Sequence, residues 1–527
     1  MKIVIADPLP AAATNIFREK GWTVYIRSEQ PMHQLHTELA DADGLIIRSA
    51  TRVDKDLLLS APKLRIIARA GTGVDNIDIE AASETGVLVV NAPGVNSISV
   101  AEHAFALLLA TARSVPLANA GLKAGKWEKK QFIGIELRGK TLGVVGLGRI
   151  GQAMVQRAHA FSMRTIAHDP FITTQVAEGL NVELLELDEL CDQADFISLH
   201  VPTTGAEPLF NAERLAKCQS TVQIINTARG TLIDETALAD AIEEGRVGGA
   251  GLDVFTNEPP HNNRLLSLPQ VIATPHIAGS THEAQEMVAV ETVACVRDFL
   301  EAGTVRNAVN YPSLSQEDSK RIQPYMLLAK RLGAFLAQIS TARPKTLGIR
   351  YYGKLAEGNN EVLVGVSLVG LFGETVSHAT PINARALANE RGIEIIESRS
   401  SRPRNFTSLI SIKLHTELGE HWVEGALFEQ AGPRLVLVDG VTVEAPLEGT
   451  LIVIKNDDQP GVIGEVGMLL GRHGINIATF ALGRGPAGAV AVVKIDHKEP
   501  AGYHVSQDII KAITEVDAVR YAEVVTV

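Results

Sequence analysis

The sequence predicts an α/β protein built around parallel sheets, and three features carry that prediction. Short, almost wholly apolar strand candidates, such as KIVI from Lys2 and LRIIAR from Leu64, alternate with helix-like stretches, the pattern of strands joined by helical crossovers. These strands lack a polar face, as expected when helices cover a parallel sheet on both sides. A glycine triplet, Gly146, Gly148 and Gly151 in GVVGLGRIG, follows one strand and opens a helix.

At 527 residues the chain is too long for one core. Domains of roughly 100–200 residues imply three or four. Apolar residues at 46% and charged residues at 21% describe an ordered globular chain. The net charge of −12 leaves no basic footprint, which excludes nucleic acid and an anionic membrane surface as bulk partners. An anionic small molecule would need a local cluster of arginine or lysine. Cys191, Cys218 and Cys295 lie far apart without metal spacing, so they read as reduced thiols of a cytoplasmic protein with no metal site. MKIVIADPLP reads as a strand, not a signal peptide, and no apolar run reaches membrane-spanning length.

Taken in order, KIVIADP is a strand, AAATNIFREKG a helix closed by Gly21, and TVYIR, GLIIRS, LRIIARAG and GVLVVNAPG are further strands. From Ser97 a long apolar helix follows, then an exposed basic stretch with Lys129 and Lys130 after Trp127. KTLGVV opens a second series with strands MRTIAHD, ADFISLH, VQIINTA, VGGAGLDV and QVIATPH. The helix THEAQEMVAVETVACVRDFLEAG then leads back to the first unit. A nucleotide unit (96–284) is therefore inserted in a substrate unit (1–95 and 285–313). The polar junction NYPSLSQEDSKRIQPY opens a middle α+β unit (314–447), framed by the valine-rich strand candidates EVLVGVSLVGLFG and PRLVLVDGVTVEAP. From Glu448 to Val527 the order is βαββαβ, a small ferredoxin-like unit.

The glycine loop carries the first chemistry. Gly146 permits the tight turn, Gly148 lets a pyrophosphate approach the backbone, and Gly151 lets helix and strand pack closely, with Arg149 and Ile150 opening the helix whose N-terminus faces the phosphates. Asp169 ends the next strand, where an acid accepts hydrogen bonds from the adenosine ribose and repels a 2′-phosphate. The expected cofactor is NAD rather than NADP.

A hydride-transfer enzyme acting on an alcohol needs a base for the hydroxyl proton and a cation for a substrate carboxylate. Arg229 in NTARG, Glu258 in NEPP and His276 in TPH each follow an apolar strand at its C-terminal end, where open α/β sheets bind ligands. Glu258 can orient the His276 imidazole and stabilise its protonated form. A lone histidine after a strand is usually a structural, hydrogen-bonded one, and His103, His168 and His200 take that reading; for His276 the neighbouring Glu and Arg reverse it.

GLGRIG, NTARG, GLDVFTNEPP and TPHIAGST, in this order, resemble the D-2-hydroxyacid dehydrogenase family. RSATRV, RAGTGVDNID, GKW and the long C-terminal extension are similar to its long-form phosphoglycerate dehydrogenases, over essentially the whole chain. The resemblance implies a Rossmann-type doubly wound parallel nucleotide domain inserted in a flavodoxin-like substrate domain, then an α+β intervening domain and a C-terminal ACT regulatory domain. It implies Arg229 on the substrate carboxylate, His276 as general acid/base and Glu258 as its partner. Asp253 would lie near the nicotinamide amide, His200 and Pro202 on the adenine or ribose side, and Thr227, Ala228, Arg229, His276 and Gly279 in the cofactor's surroundings.

A phosphorylated 2-hydroxy acid would meet Arg48, Arg69 and the backbone of Gly71, Thr72, Gly73 and Val74, with Lys129 and Lys130 arriving from a neighbouring subunit of a homo-oligomer. The implied reaction is NAD-dependent oxidation of 3-phospho-D-glycerate, which opens serine biosynthesis. In the ACT module, Asp458 and Asn476 stand where serine-sensing relatives hold L-serine, while Asn456 replaces an aromatic residue or His. Two alternatives share the dehydrogenase motifs: a glyoxylate or hydroxypyruvate reductase, which lacks the phosphate cluster, and a non-catalytic NAD-sensing scaffold.

Overall fold

The computed structural model describes all residues except 28–32, 204–206, 313–315, 341, 377, 403–404, 429–431, 487 and 497–504. Its described strands form four sheets. The first is parallel, with Thr23–Ile26, Lys2–Ile5, Gly44–Ile47, Ile66–Arg69 and Leu88–Val90 side by side. The helix His282–Ala302 returns from the second unit to pack Val293, Val296 and Leu300 against Ile3, Ile5 and Ile66 of this sheet.

The second sheet has seven parallel strands: Val271–Ala273, Gly249–Leu252, Gln223–Asn226, Phe196–Leu199, Thr141–Val145, Arg164–His168 and Glu183–Leu184. The chain starts at Thr141–Val145, runs outward to one edge, then returns to Phe196–Leu199 and runs to the other. That reversal opens a crevice at the C-terminal strand ends. This is the doubly wound arrangement that the sequence predicts. Strand register then sets the site. Asn226 pairs with Leu252 and Leu252 with Ala273, so the loops leaving these strands emerge side by side.

The predicted long helix from Ser97 is two helices, Ser97–Arg113 and Val115–Lys123, bent by 65°. Ser114 lies in the left-handed region at φ 48°, and Pro116 sits in the first turn of the second helix. Proline cannot continue a helix whose preceding carbonyls it would strike, so the chain turns there. Among the described residues no single helix is long and apolar enough to cross a membrane.

The stretch EVLVGVSLVGLFG, expected as a strand, is instead the helix Glu361–Phe372. Its β-branched residues favour strands, but the segment is buried on nearly every side, so it carries no polar stripe from which a period could be read. Helix packing decides the outcome. A Cβ on Gly370 would lie 2.0 Å from the Lys330 carbonyl, and one on Gly333 would lie 2.1 Å from the Ser367 carbonyl. The two glycines thus let this helix and Gln316–Ile339 approach backbone to backbone. The pair covers one face of a six-stranded mixed sheet running from Glu394–Ser400 to Val441–Pro446. The junction assigned to 313–314 falls outside the described residues.

From Thr450 the order strand, helix, strand, strand, helix, strand gives an antiparallel four-stranded sheet. It docks on the middle unit. Gln338 exchanges two 2.9 Å bonds with the backbone of Thr526, and Lys455 Nζ meets Asp439 Oδ2 at 2.5 Å. Burial alone would raise the Asp439 carboxyl, but bonds from His421, Lys455 and the Trp422 N–H outweigh it and lower its pKa to about 2. Such a group stabilises the fold above its unfolded value near 4, and that stability is lost as pH falls toward 2. Asp439→Asn is expected to lose about 2 kcal/mol of unfolding free energy at pH 7. Urea titrations at several pH values should show the gap from the parent closing below about pH 4.

Candidate functional site

A cleft of about 580 Å³ lies between the first two sheets. Arg48, Arg69, Gly71, Thr72 and Gly73 line it from one side, and Ile150, His200, Pro202, Thr227, Ala228, Arg229, Glu258, His276 and Gly279 from the other. Most of the site residues expected from sequence therefore meet in one place. Val74 does not line it, because its side chain packs into the core of the first sheet. Asp458 and Asn476 belong to the C-terminal module. There Asp458 faces Arg484 Nε at 3.2 Å, and Asn476 Nδ2 donates to Asp496 Oδ2 at 2.6 Å. Lys129 and Lys130 sit in a short exposed turn, away from the cleft lining.

The glycine loop is built as its spacing requires. Gly146 has φ 93°, and a Cβ there would lie 2.6 Å from the His200 carbonyl. One on Gly151 would lie 2.1 Å from the Gly146 carbonyl, while Gly148 faces open space. The helix Arg149–Ala160 starts directly after it. Arg149 Nη1 reaches back 3.0 Å to the Pro93 carbonyl. Asp169, expected at the ribose, accepts the Leu147 N–H on its Oδ2 at 2.8 Å, and so holds the loop.

On the nucleotide side of the cleft, the buried atoms Thr227 Oγ1 and His200 Nδ1 have no partner within the chain. Burial lowers the His200 pKa to about 3, so its ring is neutral, and Nε2 is engaged with Ser198 Oγ at 2.8 Å. An open glycine, a helix N-terminus and unmatched donors and acceptors fit a dinucleotide laid along this wall.

His276 and Glu258 are assembled at hydrogen-bond distance. His276 Nδ1 lies 2.7 Å from Glu258 Oε2, and Glu258 Oε1 accepts the Phe255 N–H at 3.1 Å. Nε2 is left free to face a substrate. His276 has φ 52°, a conformation that β-carbon-bearing residues adopt at a cost and that clusters at functional sites. Asp253 holds it there. Its carboxylate is fully buried and accepts Thr274 Oγ1 at 2.5 Å, the Ile277 N–H at 2.9 Å and the Ala278 N–H at 2.8 Å, while its carbonyl accepts the His276 N–H at 2.8 Å. Burial would raise its pKa, but these bonds and one from His103 outweigh it and hold the group below the ordinary carboxylate value.

Arg229 spends one nitrogen on the Ala228 carbonyl at 2.7 Å and points Nη2 at Asp75, 3.3 Å away. Arg69 is half-buried, and burial with the Arg229 and Arg48 guanidiniums lowers its pKa. Its Nε has no partner within the chain. Cations gathered this closely call for an anion with more than one negative group. Sequence reasoning passed over Asp75 and Asn76. Asn76 Nδ2 ties the loop to the Arg48 and Thr51 carbonyls at 2.7 and 2.5 Å. Their signal was the acid and amide following the glycines in GTGVDN.

Strand-end arginine, a histidine–glutamate pair and a dinucleotide cleft together define an NAD-dependent dehydrogenase of 2-hydroxy acids. The family model for the D-isomer specific 2-hydroxyacid dehydrogenase NAD binding domain matches residues 105–278, and that for the D-3-phosphoglycerate dehydrogenase intervening domain matches 321–439. A D-3-phosphoglycerate dehydrogenase of Methanocaldococcus jannaschii is 41% identical over 100% of this chain and 99% of its own length. One from Synechocystis is 38% identical over 99% and 94%. Among solved structures, the TT0316 protein of Thermus thermophilus is 37% identical with a TM-score of 0.54, covering 59% of this chain and all of that one. The chain belongs to the D-3-phosphoglycerate dehydrogenase family. NAD is its cofactor.

Two substitutions test the pair. His276→Asn should lower kcat by about 100-fold or more. Glu258→Gln should lower it by a smaller factor, about tenfold, since it keeps the ring's neighbour but loses the charge. Steady-state rates at saturating NAD read both; an active His276→Asn enzyme would remove His276 from the acid/base role.

Proposed function

We propose that this protein oxidises 3-phospho-D-glycerate to 3-phosphohydroxypyruvate, the first step of L-serine biosynthesis. The single observation that carries the reading is the cluster of Arg48, Arg69 and Arg229 on one cleft wall and its opposite, within a chain of net charge −12. Full-length likeness to curated enzymes of that name supports it.

In this reading Arg229 grips the substrate carboxylate with its cleft-facing edge, assisted by the N–H groups of Thr72 and Gly73. Arg48 and Arg69 take the phosphate. His276 Nε2 removes the proton from the C2 hydroxyl, and Glu258 stabilises the imidazolium that results. NAD, when bound, accepts the hydride from C2. The walls of the cleft exclude water as the two units close. In the reverse direction His276 returns the proton to the keto oxygen.

The domain limits belong to the same proposal: substrate domain 1–95 and 285–313, nucleotide domain 96–284, intervening domain 314–447 and ACT domain 448–527. The molecule is a cytoplasmic homotetramer or dimer. Exposed Trp127 and Ile133 beside Lys129 and Lys130 favour a subunit contact that brings those lysines toward a neighbour's cleft. L-Serine is the candidate effector at Asp458 and Asn476.

NADH oxidation with phosphohydroxypyruvate, beside hydroxypyruvate at equal concentration, tests the assignment. The phosphorylated acid should win by about 100-fold in kcat/KM, with Arg69→Ala erasing most of the margin. Equal rates would leave a general 2-hydroxyacid dehydrogenase. Asp169→Ala should weaken NAD binding about tenfold and narrow the preference over NADP, read by fluorescence titration of the reduced cofactors.

A further inference from the structure

The helix Ser97–Arg113 carries the chain from the first sheet to the second. Asn96, Ser99 and His103 follow one another at spacings of three and four, so they form a row along one face of that helix. Every member of the row meets the segment that bears His276. A Cβ on Gly279 would lie 2.8 Å from Asn96 Nδ2. Ser99 Oγ stands 2.9 Å from Thr281 Oγ1. His103 Nε2 lies 2.9 Å from Thr274 Oγ1 and 3.4 Å from Asp253 Oδ1. The contacts bracket His276, at 274 before it and at 279 and 281 after it. At the other end of the row, Asn96 Oδ1 accepts a 3.1 Å bond from Thr72 Oγ1, in the loop between Arg69 and Asp75.

We propose that this row is a splint between the substrate loop and the catalytic loop, and that His103 is a positioning residue for the reaction. The inference rests on the reading of His276 as acid/base.

Proton accounting fixes what His103 does. Thr274 gives its hydroxyl proton to Asp253, so its oxygen faces His103 as an acceptor, and Nε2 must carry the hydrogen. His103 thus donates to Thr274 and stands 3.4 Å from Asp253, the two groups that hold the backbone on both sides of His276. The ring is a rigid strut of fixed length from a helix that begins beside the substrate loop. A loop at Gly71–Val74 that shifts on taking substrate moves Thr72 and Asn96, and the row passes that register to His276. Without it, His276 keeps Glu258 but loses its alignment to the C2 hydroxyl. Misplacement of this kind slows the chemical step more than it weakens binding.

The experiment compares His103→Leu, His103→Gln and Ser99→Ala in the full-length enzyme, using whichever keto acid the parent turns over. His103→Leu should lose about tenfold in kcat, with KM for the keto acid and affinity for NADH within about threefold of the parent. His103→Gln, whose amide donates at similar reach, should recover most of the rate. Unchanged kcat in His103→Leu, or a Gln variant as slow as the Leu variant, overturns the proposal. So does a loss in thermal stability with normal kcat per folded enzyme, the signature of a merely structural histidine. Where His103→Leu does not fold, Ser99→Ala decides, with a severalfold fall in kcat at constant KM expected and a parental kcat refuting. His276→Asn assayed in parallel separates the two readings: if it stays active, the acid/base assignment has failed, whatever His103 shows.

Discussion

Asp253 is the point on which the catalytic half of the cleft depends. A carboxylate with no exposed surface costs several kcal/mol unless its oxygens are satisfied. Here they are satisfied by the hydroxyl of Thr274 and the N–H groups of Ile277 and Ala278, with His103 beside them. The obligation runs both ways. Meeting the needs of one buried acid fixes the path of the segment on either side of His276, and so makes a left-handed histidine tenable. Register explains why the arrangement can be local. With Asn226, Leu252 and Ala273 paired across three adjacent strands, the next few residues of each supply Arg229, Asp253 with Glu258, and His276 without a long reach.

Much of this was legible in the sequence, because its causes are short-range. The glycine loop is a matter of residues a few positions apart: a Cβ at Gly146 or Gly151 would strike a carbonyl, and Gly148 leaves open space beside the helix start. Arg229, Glu258 and His276 could be read because strand ends of a parallel sheet collect at one edge. What could not be read is of two kinds. Glu361–Phe372 is apolar apart from Glu361 and Ser367, so neither period shows, and the glycines that decide its packing lie on two different helices. The His103–Thr274 bond joins residues 171 positions apart, and no spacing announces it. His103 was expected to be a structural, hydrogen-bonded histidine, and hydrogen-bonded it is; which groups it holds was invisible without the fold.

Polar contacts join the middle unit to the first unit, beside the apolar packing of Tyr311. Thr380 Oγ1 and Asn383 Nδ2 of the middle unit donate to the Gly86 and Glu84 carbonyls at 3.2 Å, at the end of the helix that follows the substrate loop. Lys455, bonded to Asp439, immediately precedes Asn456 and the Asp457–Asp458 turn. Asp439 in turn accepts the Trp422 N–H at 2.7 Å. The low pKa of Asp439 marks this junction as one where separation would strand a charge, so the two units move together there more cheaply than apart.

The cleft's electrostatics bear on selectivity rather than on the chemical step. Arg48, Arg69 and Arg229 repel one another, and the half-burial of Arg69 removes water that would screen them. Among the described residues lining the cleft the acids are Asp75 and Glu258, and Glu258 is committed to His276. Asp75 is largely exposed and pairs only with Arg229, an arrangement worth little in water. The cluster is therefore under-neutralised when empty, and an anion entering it relieves that repulsion as well as making bonds. A carboxylate alone can satisfy Arg229 but leaves Arg48 and Arg69 facing each other. A second anionic group at the far end of a three-carbon acid would satisfy all three, which makes the unphosphorylated acid the poorer ligand even though every contact at the reacting carbon is the same.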